Sequence, residues 1–184
     1  MKKACVLLAD GFEEVEAVTM IDVMRRAGIS VTTLAVGTNN QQVKGSHGIA
    51  IEADQNLEAG FQDWDLVALP GGQPGANHLR DHSGVKELLK QQYQKNGLIA
   101  AICAAPIALS AADCIGGRKI TCYPGFEEQI HNAKHVDAAV VHDGTLITGR
   151  GPGAAMAFSL KLVEVLLGEQ KSKKLQEQLL YLAS

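Results

Sequence analysis

Short apolar runs and longer amphipathic stretches take turns along this chain. Lys3 to Ala9 is apolar after its first residue, which predicts a strand covered on both faces, because strands of a parallel sheet lie under helices on each side. Asp10-Gly11-Phe12 is the turn that follows. Glu13 to Ala27 carries apolar residues at helical spacing and stops at Gly28, a residue suited to the left-handed position after a last turn. Ile29 to Val36 predicts a second strand. Gly37 to Asn56 breaks into short alternating pieces around Gly45 and Gly48, a hairpin or an excursion beside the sheet. Trp64 to Leu69 predicts a third buried strand, ended by Pro70-Gly71-Gly72. Gly84 to Lys95 predicts a helix with Asn96-Gly97 as its stop. Leu98 to Ile102 is the next strand. Cys103-Ala104-Ala105 then turns into a helix opened by Pro106, whose fixed φ suits a first helical position and should keep Ala105 out of the α region. Lys119 to Thr121 is a short strand. Ala138 to Val141 and Thr145 to Thr148 flank His142-Asp143-Gly144, a hairpin signal. A long apolar helix runs to Leu167 with Gly168 as its cap, and Glu169 to Leu182 is a last amphipathic helix.

This alternation of strand and helix predicts a doubly wound α/β sandwich with a mostly parallel sheet, built as one domain over residues 1–184. Hydrophobic residues make up 46% and aromatic residues only 4%, so the core must be aliphatic. The net charge of −3 comes from acids and bases mixed along the chain, and no basic patch argues for specific nucleic-acid binding. Met1-Lys2-Lys3 and the run behind it are too short for a signal peptide, and no apolar run is long enough to span a bilayer. Cys5, Cys103, Cys114 and Cys122 show no CxxC pairing, so neither a zinc site nor a disulfide framework is indicated. A cytoplasmic protein with reduced thiols is the simplest reading.

Three strand ends carry chemistry. Cys103 stands between a buried strand and a helix, at the carboxyl edge where open α/β sheets bind ligands. The helix N-terminus should lower its pKa, although a buried cysteine serving as a small hydrophobe fits the turn equally well. Glu16 falls in line with Met20, Val23 and Ala27 on an apolar helix face. There it is either a partly desolvated acid with a raised pKa or a side chain snorkelling to the helix end. The dipole of that helix by itself accounts for Glu13 and Glu14. Gly71-Gly72 is either a plain turn or a source of N–H donors which, with that of Ala104, would make an oxyanion hole beside Cys103. Gly149-Arg150-Gly151-Pro152-Gly153 lacks the Gly-Lys-Ser/Thr ending of a phosphate loop and reads as a strand-to-helix connection. His78 and His82 are spaced i, i+4 but lack a third ligand, and His131, His135 and His142 lie in polar turns. His47 sits in the 37–56 excursion, which could overhang the site. No metal or cofactor is expected.

Ala9-Asp10-Gly11-Phe12-Glu13-Glu14-Val15-Glu16, Leu69-Pro70-Gly71-Gly72, Ala100 to Pro106 and Gly149 to Gly153 together resemble the ThiJ/PfpI superfamily, whose domain is similar to class I glutamine amidotransferases. The resemblance is closest to the small branch that contains a Parkinson-disease-associated protein deglycase and a bacterial chaperone-deglycase. It covers nearly the whole chain. It implies a flavodoxin-like homodimer and an oxidation-prone Cys103 whose thiolate or sulfinate is hydrogen-bonded by protonated Glu16. It also implies oxyanion donors at Gly72 and Ala104, with Gly71, Glu13, Tyr123 and His47 around the substrate. The activities implied are glyoxalase chemistry on methylglyoxal or glyoxal, repair of early glycation adducts on proteins and nucleotides, chaperone action and oxidative-stress sensing.

Two positions depart from that pattern. Tyr123 stands where close relatives often carry a histidine, and a tyrosine is a poor base near neutral pH. His47 aligns with an arginine of relatives, so anion binding at that rim becomes pH-dependent or is lost. Ala104 stands where intracellular peptidases of the superfamily have a histidine, which disfavours a Cys-His protease. Two functions follow: a cysteine-dependent glyoxalase or deglycase, and a redox-regulated chaperone or sensor.

Overall fold

The computed structural model describes residues 1–38, 40–57 and 63–182. Its main sheet has seven strands in the order β10-β11-β7-β6-β1-β2-β5. These are β1 (Lys3–Ala9), β2 (Ser30–Val36), β5 (Gln55–Asn56), β6 (Leu66–Leu69), β7 (Leu98–Ile102), β10 (Val140–Asp143) and β11 (Leu146–Gly149). All neighbours run parallel except the edge pair β10 and β11. β1, β6 and β7 are buried almost throughout, which is why they read as unbroken apolar runs. Helices α1 (Glu14–Arg26), α5 (Ala155–Leu167) and α6 (Glu169–Gln178) pack together on one face. Helices α2 (Gly75–Asp81), α3 (Ser83–Gln94) and α4 (Pro106–Ala111) pack together on the other. The result is the three-layer, doubly wound α/β sandwich that the alternation predicts. No helix among the described residues is long and apolar enough to cross a membrane.

The chain leaves β1 for β2 on one side and then crosses to β6 on the other, so the switch point of the sheet lies between β1 and β6. Ligand crevices of open α/β sheets form at that place, beyond the carboxyl ends of the strands. The turns after β1, β6 and β7 all open there.

Several boundaries shift from the sequence reading. The 37–56 region holds a separate hairpin, β3 (Gln42–Lys44) with β4 (Ala50–Glu52), before β5 joins the main sheet. The segment after Gly72 forms α2, with buried Ala76 and Leu79 on its inner side. β8 (Lys119–Ile120) pairs with β9 (Lys134–His135) in a third sheet, a long-range pairing with no local pattern to announce it. The first hairpin strand, β10, starts at Val140 instead of Ala138 and takes in His142 and Asp143, which the sequence assigns to the turn. The last helix stops at Gln178 because Leu180 turns to φ 53° and, with Leu182, points to solvent. Ala105 does enter the α region, at φ −60° and ψ −26°. The bonds from Cys103 N–H to Gly149 O (2.9 Å) and from Ala105 N–H to Ile102 O (3.0 Å) outweigh the bias imposed by Pro106.

Candidate active site

Cys103 sits at the end of β7 with φ 65°, a left-handed conformation that non-glycine residues adopt rarely and at some strain. The geometry turns its side chain out of the strand direction toward the switch point. It is nearly enclosed, at 8% exposure. Against it lies Gly71, where a Cβ would come within 2.6 Å of Cys103 Cβ and 2.9 Å of Glu16 Oε2. Only glycine leaves room for the three to meet. Gly72 has φ +89°, and a Cβ there would strike the backbone N of Glu13 at 2.4 Å. The loop after β6 is thereby pressed between the start of α1 and the cysteine. Its Gly71 carbonyl accepts the Glu13 N–H at 2.9 Å.

Glu16 projects from the first turn of α1 into this junction and is fully buried. It does not snorkel, because Met20, Val23 and Ala27 continue its face into the core. Its Oε2 accepts the Gly71 N–H at 2.7 Å. Its Oε1 is buried without a hydrogen-bond partner, and the Cys103 side chain is the titratable neighbour that bonds the carboxyl. Burial pushes the Glu16 carboxyl up to about 7, against the pull of the Gly71 N–H and Cys103, and the Glu13 charge adds to the rise.

The Cys103 thiol corrects an expectation. It is not an exposed group acidified by a helix dipole. Burial first, then the charge and hydrogen bond of an ionised Glu16, push it up to about 12, while the backbone N–H groups of Gly72 and Ala104 pull it down. α4 has only six residues and the sulfur is largely out of water. Two of these upward pushes exist only while Glu16 is charged. With Glu16 protonated they vanish, and the sulfur faces two N–H donors and a carboxylic acid. The proton affinity of each group therefore depends on the charge of the other, and the two protons leave in steps that belong to the pair.

Glu14 does more than complement the helix dipole: it is buried and serves as an anchor. Its Oε1 accepts the N–H of His47 at 2.7 Å and of Ile49 at 3.3 Å. Its Oε2 meets the Ser46 hydroxyl at 3.2 Å and His47 Nδ1 at 2.9 Å. Burial raises the Glu14 carboxyl, but these bonds, led by His47, outweigh it and bring it down to about 2. No sequence signal links Glu14 to a loop more than thirty residues away. Glu13, Glu14 and His47 bring ligand-type atoms within 4.8 Å of one another, the one such group among the described residues. Each Glu14 oxygen is already engaged twice, so the arrangement reads as a clamp on the loop.

The remaining candidates divide. Ala104 and Gly72 direct their backbone N–H groups to the Cys103 sulfur. His47 reaches the rim with its side chain largely exposed, and its Nδ1 turns to Glu14 and, at 3.6 Å, to Glu13 Oε2. Tyr123 reaches the site through its backbone, donating its N–H to Cys103 O at 2.9 Å. Its half-exposed ring lines a neighbouring cleft of about 390 Å³ with Pro124, Arg150 and Pro152. Arg150 pairs with Asp137. His78 Nδ1 contacts Asp10 O at 2.9 Å, and His131, His135 and His142 are exposed. Cys5, Cys114 and Cys122 are free and buried.

The pattern of the DJ-1/PfpI family matches residues 2–165. Protein dj-1beta of Drosophila melanogaster is 43% identical over 182 residues, covering 97% of both chains. The glutathione-independent glyoxalase DJR-1.2 of Caenorhabditis elegans is 36% identical over 182 residues, covering 97% of this chain and 96% of its own. Among solved structures, oxidized Toxoplasma gondii DJ-1 superposes with a TM-score of 0.95 at 36% identity, covering 100% of both chains.

Proposed function

This chain belongs to the DJ-1/PfpI family, and from that premise we propose that it is a cysteine-dependent glyoxalase and deglycase. Its substrates are methylglyoxal, glyoxal and their early adducts on proteins or nucleotides. The observation that carries the reading is the buried Glu16 carboxyl, bonded to Gly71 through Oε2, unpartnered at Oε1, and adjacent to the Cys103 side chain. A relative named as a glutathione-independent glyoxalase supports the same reaction class. The whole of residues 1–184 is read as one domain of this kind, working in the cytoplasm without a metal or cofactor.

In the proposed reaction the Cys103 thiolate attacks the aldehyde carbon, forming a C–S bond and an oxyanion. The N–H groups of Gly72 and Ala104 stabilise that charge as it develops. Glu16 gives its proton to the oxygen, leaving a hemithioacetal and a Glu16 carboxylate. The carboxylate takes the proton from the former aldehyde carbon and returns it to the adjacent one through an enediol. The product is a thioester of Cys103. Water hydrolyses it to lactate, or to glycolate from glyoxal, and restores the thiol and acid. The oxidation of one carbon balances the reduction of its neighbour, so no outside oxidant is needed. On an adduct, the leaving amine or thiol departs before the same sequence. Lactate formation with methylglyoxal tests the reading. Cys103→Ser is expected to lose it, and equal rates in variant and wild type would remove the proposal.

A second reading is a redox-sensing chaperone. The same two N–H donors and the Glu16 acid suit the oxygens of a sulfinate on Cys103. Cys5 and Cys114 have no exposure. Mild peroxide should therefore add two oxygen atoms to Cys103 and none to the other two, read by mass spectrometry. Absence of a stable sulfinate there removes the sensor.

The partner is proposed to be a second copy of the chain. Val15, Val18 and Ile49 form exposed apolar positions on α1 and the loop that Glu14 clamps to it.

A further inference from the structure

We propose that His47 is a positioning residue for the Cys103–Glu16 pair: its imidazolium offsets the Glu13 carboxylate, one helical turn before Glu16, and so lets the pair release its first proton at lower pH. The inference rests on the reading of Cys103 and Glu16 as the reacting groups.

The geometry runs in two steps. His47 Nδ1 lies 2.9 Å from Glu14 Oε2 and 3.6 Å from Glu13 Oε2, with the Ser46 hydroxyl 3.1 Å away. Glu13 is the N-cap of α1, and its Oε1 accepts the Val15 N–H at 3.3 Å. Its side chain is mostly shielded, while that of His47 is 71% exposed. The cation is thus open to solvent protons, and the anion it faces is directed inward. Glu13 is the N-cap and Glu16 the third helical residue, the two positions that a capping box brings together across the first turn. A negative charge there disfavours a second negative charge on the pair.

The titratable and charged neighbours are few. Around His47 they are Glu13 and Glu14 from α1, with the Lys44 side chain running beside Gly48 in the same loop. Around Glu16 they are Glu13 and Cys103. Lys44 is present in every variant compared below, so its contribution cancels. Glu14 raises the His47 pKa first through its hydrogen bond, and the Glu13 and Glu14 charges add to that. His47 therefore holds a proton more tightly than a free imidazole does. Glu14 fixes the ring, and the ring acts on Glu13. A purely structural loop residue would change stability and leave the proton affinity of a buried acid untouched.

The test is the pH dependence of Cys103 alkylation by iodoacetamide in the full-length protein, with the modified residue identified by mass spectrometry. In His47→Gln the midpoint should move up by about 0.5 pH unit, the size of a water-screened interaction between charges one helical turn apart. In Glu13→Gln it should move down. In the double variant the effect of His47→Gln should largely disappear. His47→Arg, which keeps a cation beside Glu13, should hold the wild-type midpoint. A shift from His47→Gln that is as large without Glu13 as with it overturns the proposal, and so does an unmoved midpoint in His47→Gln. Lactate assays separate the layers. Shifted midpoints without any wild-type turnover remove the glyoxalase reading and leave this inference standing. Normal turnover with unmoved midpoints does the reverse.

Discussion

Gly71 donates its backbone N–H to Glu16 Oε2 at 2.7 Å, joining the loop after β6 to the first turn of α1 across 55 residues. The missing side chain at Gly71 is as important as the bond. A Cβ would press on Cys103 Cβ at 2.6 Å and on Glu16 Oε2 at 2.9 Å. Overpacking of this kind costs about 1–3 kcal/mol. The displaced groups here are the proposed nucleophile and acid. Gly71→Ala is expected to fold with a lowered melting temperature and to lose more than about tenfold in dicarbonyl turnover, since misplacing reacting groups by an ångström is costly. Steady-state lactate formation and differential scanning fluorimetry check the two parts.

Glu16→Gln keeps an acceptor for the Gly71 N–H but cannot carry a proton between carbons. Turnover should fall by about a hundredfold or more, the range of general acid–base catalysis. Stability should move the other way. The folded-state pKa of Glu16 is raised from 4.5 to about 7, so the native state holds its proton more tightly than the unfolded chain does. The stability of the wild type is therefore highest below the unfolded value and declines as pH rises from about 4.5 to 7. The decline amounts to about 3 kcal/mol. Glu16→Gln should lack that decline. Urea unfolding at several pH values measures it, and parallel pH profiles for the two proteins would show that the acid is not held protonated.

Glu14 behaves oppositely. Its folded pKa lies near 2, below the ordinary 4.5, because His47, Ser46 and Ile49 bind its anion despite burial. Its contribution is present above the unfolded value and disappears as pH falls from about 4.5 toward 2. Glu14→Ala should cost about 1–3 kcal/mol at neutral pH by leaving loop donors unpaired. It should also make the 45–49 loop exchange its amide hydrogens faster. Unchanged protection of the His47 and Ile49 amides would contradict the clamp.

Val18 and Ile49 are 48% and 59% exposed. If a second copy covers them, Val18→Asp combined with Ile49→Asp should convert a dimer into a monomer in light scattering, with the fold intact by circular dichroism. A wild-type protein that is monomeric at micromolar concentration removes the proposed interface.

The order of elements was legible in the chain because each buried strand and amphipathic helix carries its own local period. β1 is read to its residues, and Pro106 marks the start of α4. Cys103 and the Gly71-Gly72 turn are visible for the same reason, as breaks where an apolar run meets a turn. Glu16 could be placed on an apolar face, but whether it was buried or reached solvent depended on what lay across from it. The pairing of β8 with β9, the short helix α2 and the role of Glu14 left no usable trace.

The sequence by itself determined the layers and the residues that stand at strand ends, since periodicity and chain-breaking residues act over a few positions. Tertiary structure alone decided the proton affinities. Burial raises the proton affinity of Glu16 against the pull of Gly71 and Cys103, and Glu14 holds His47 Nδ1, because desolvation and charge are summed over whatever packs nearby, however distant along the chain.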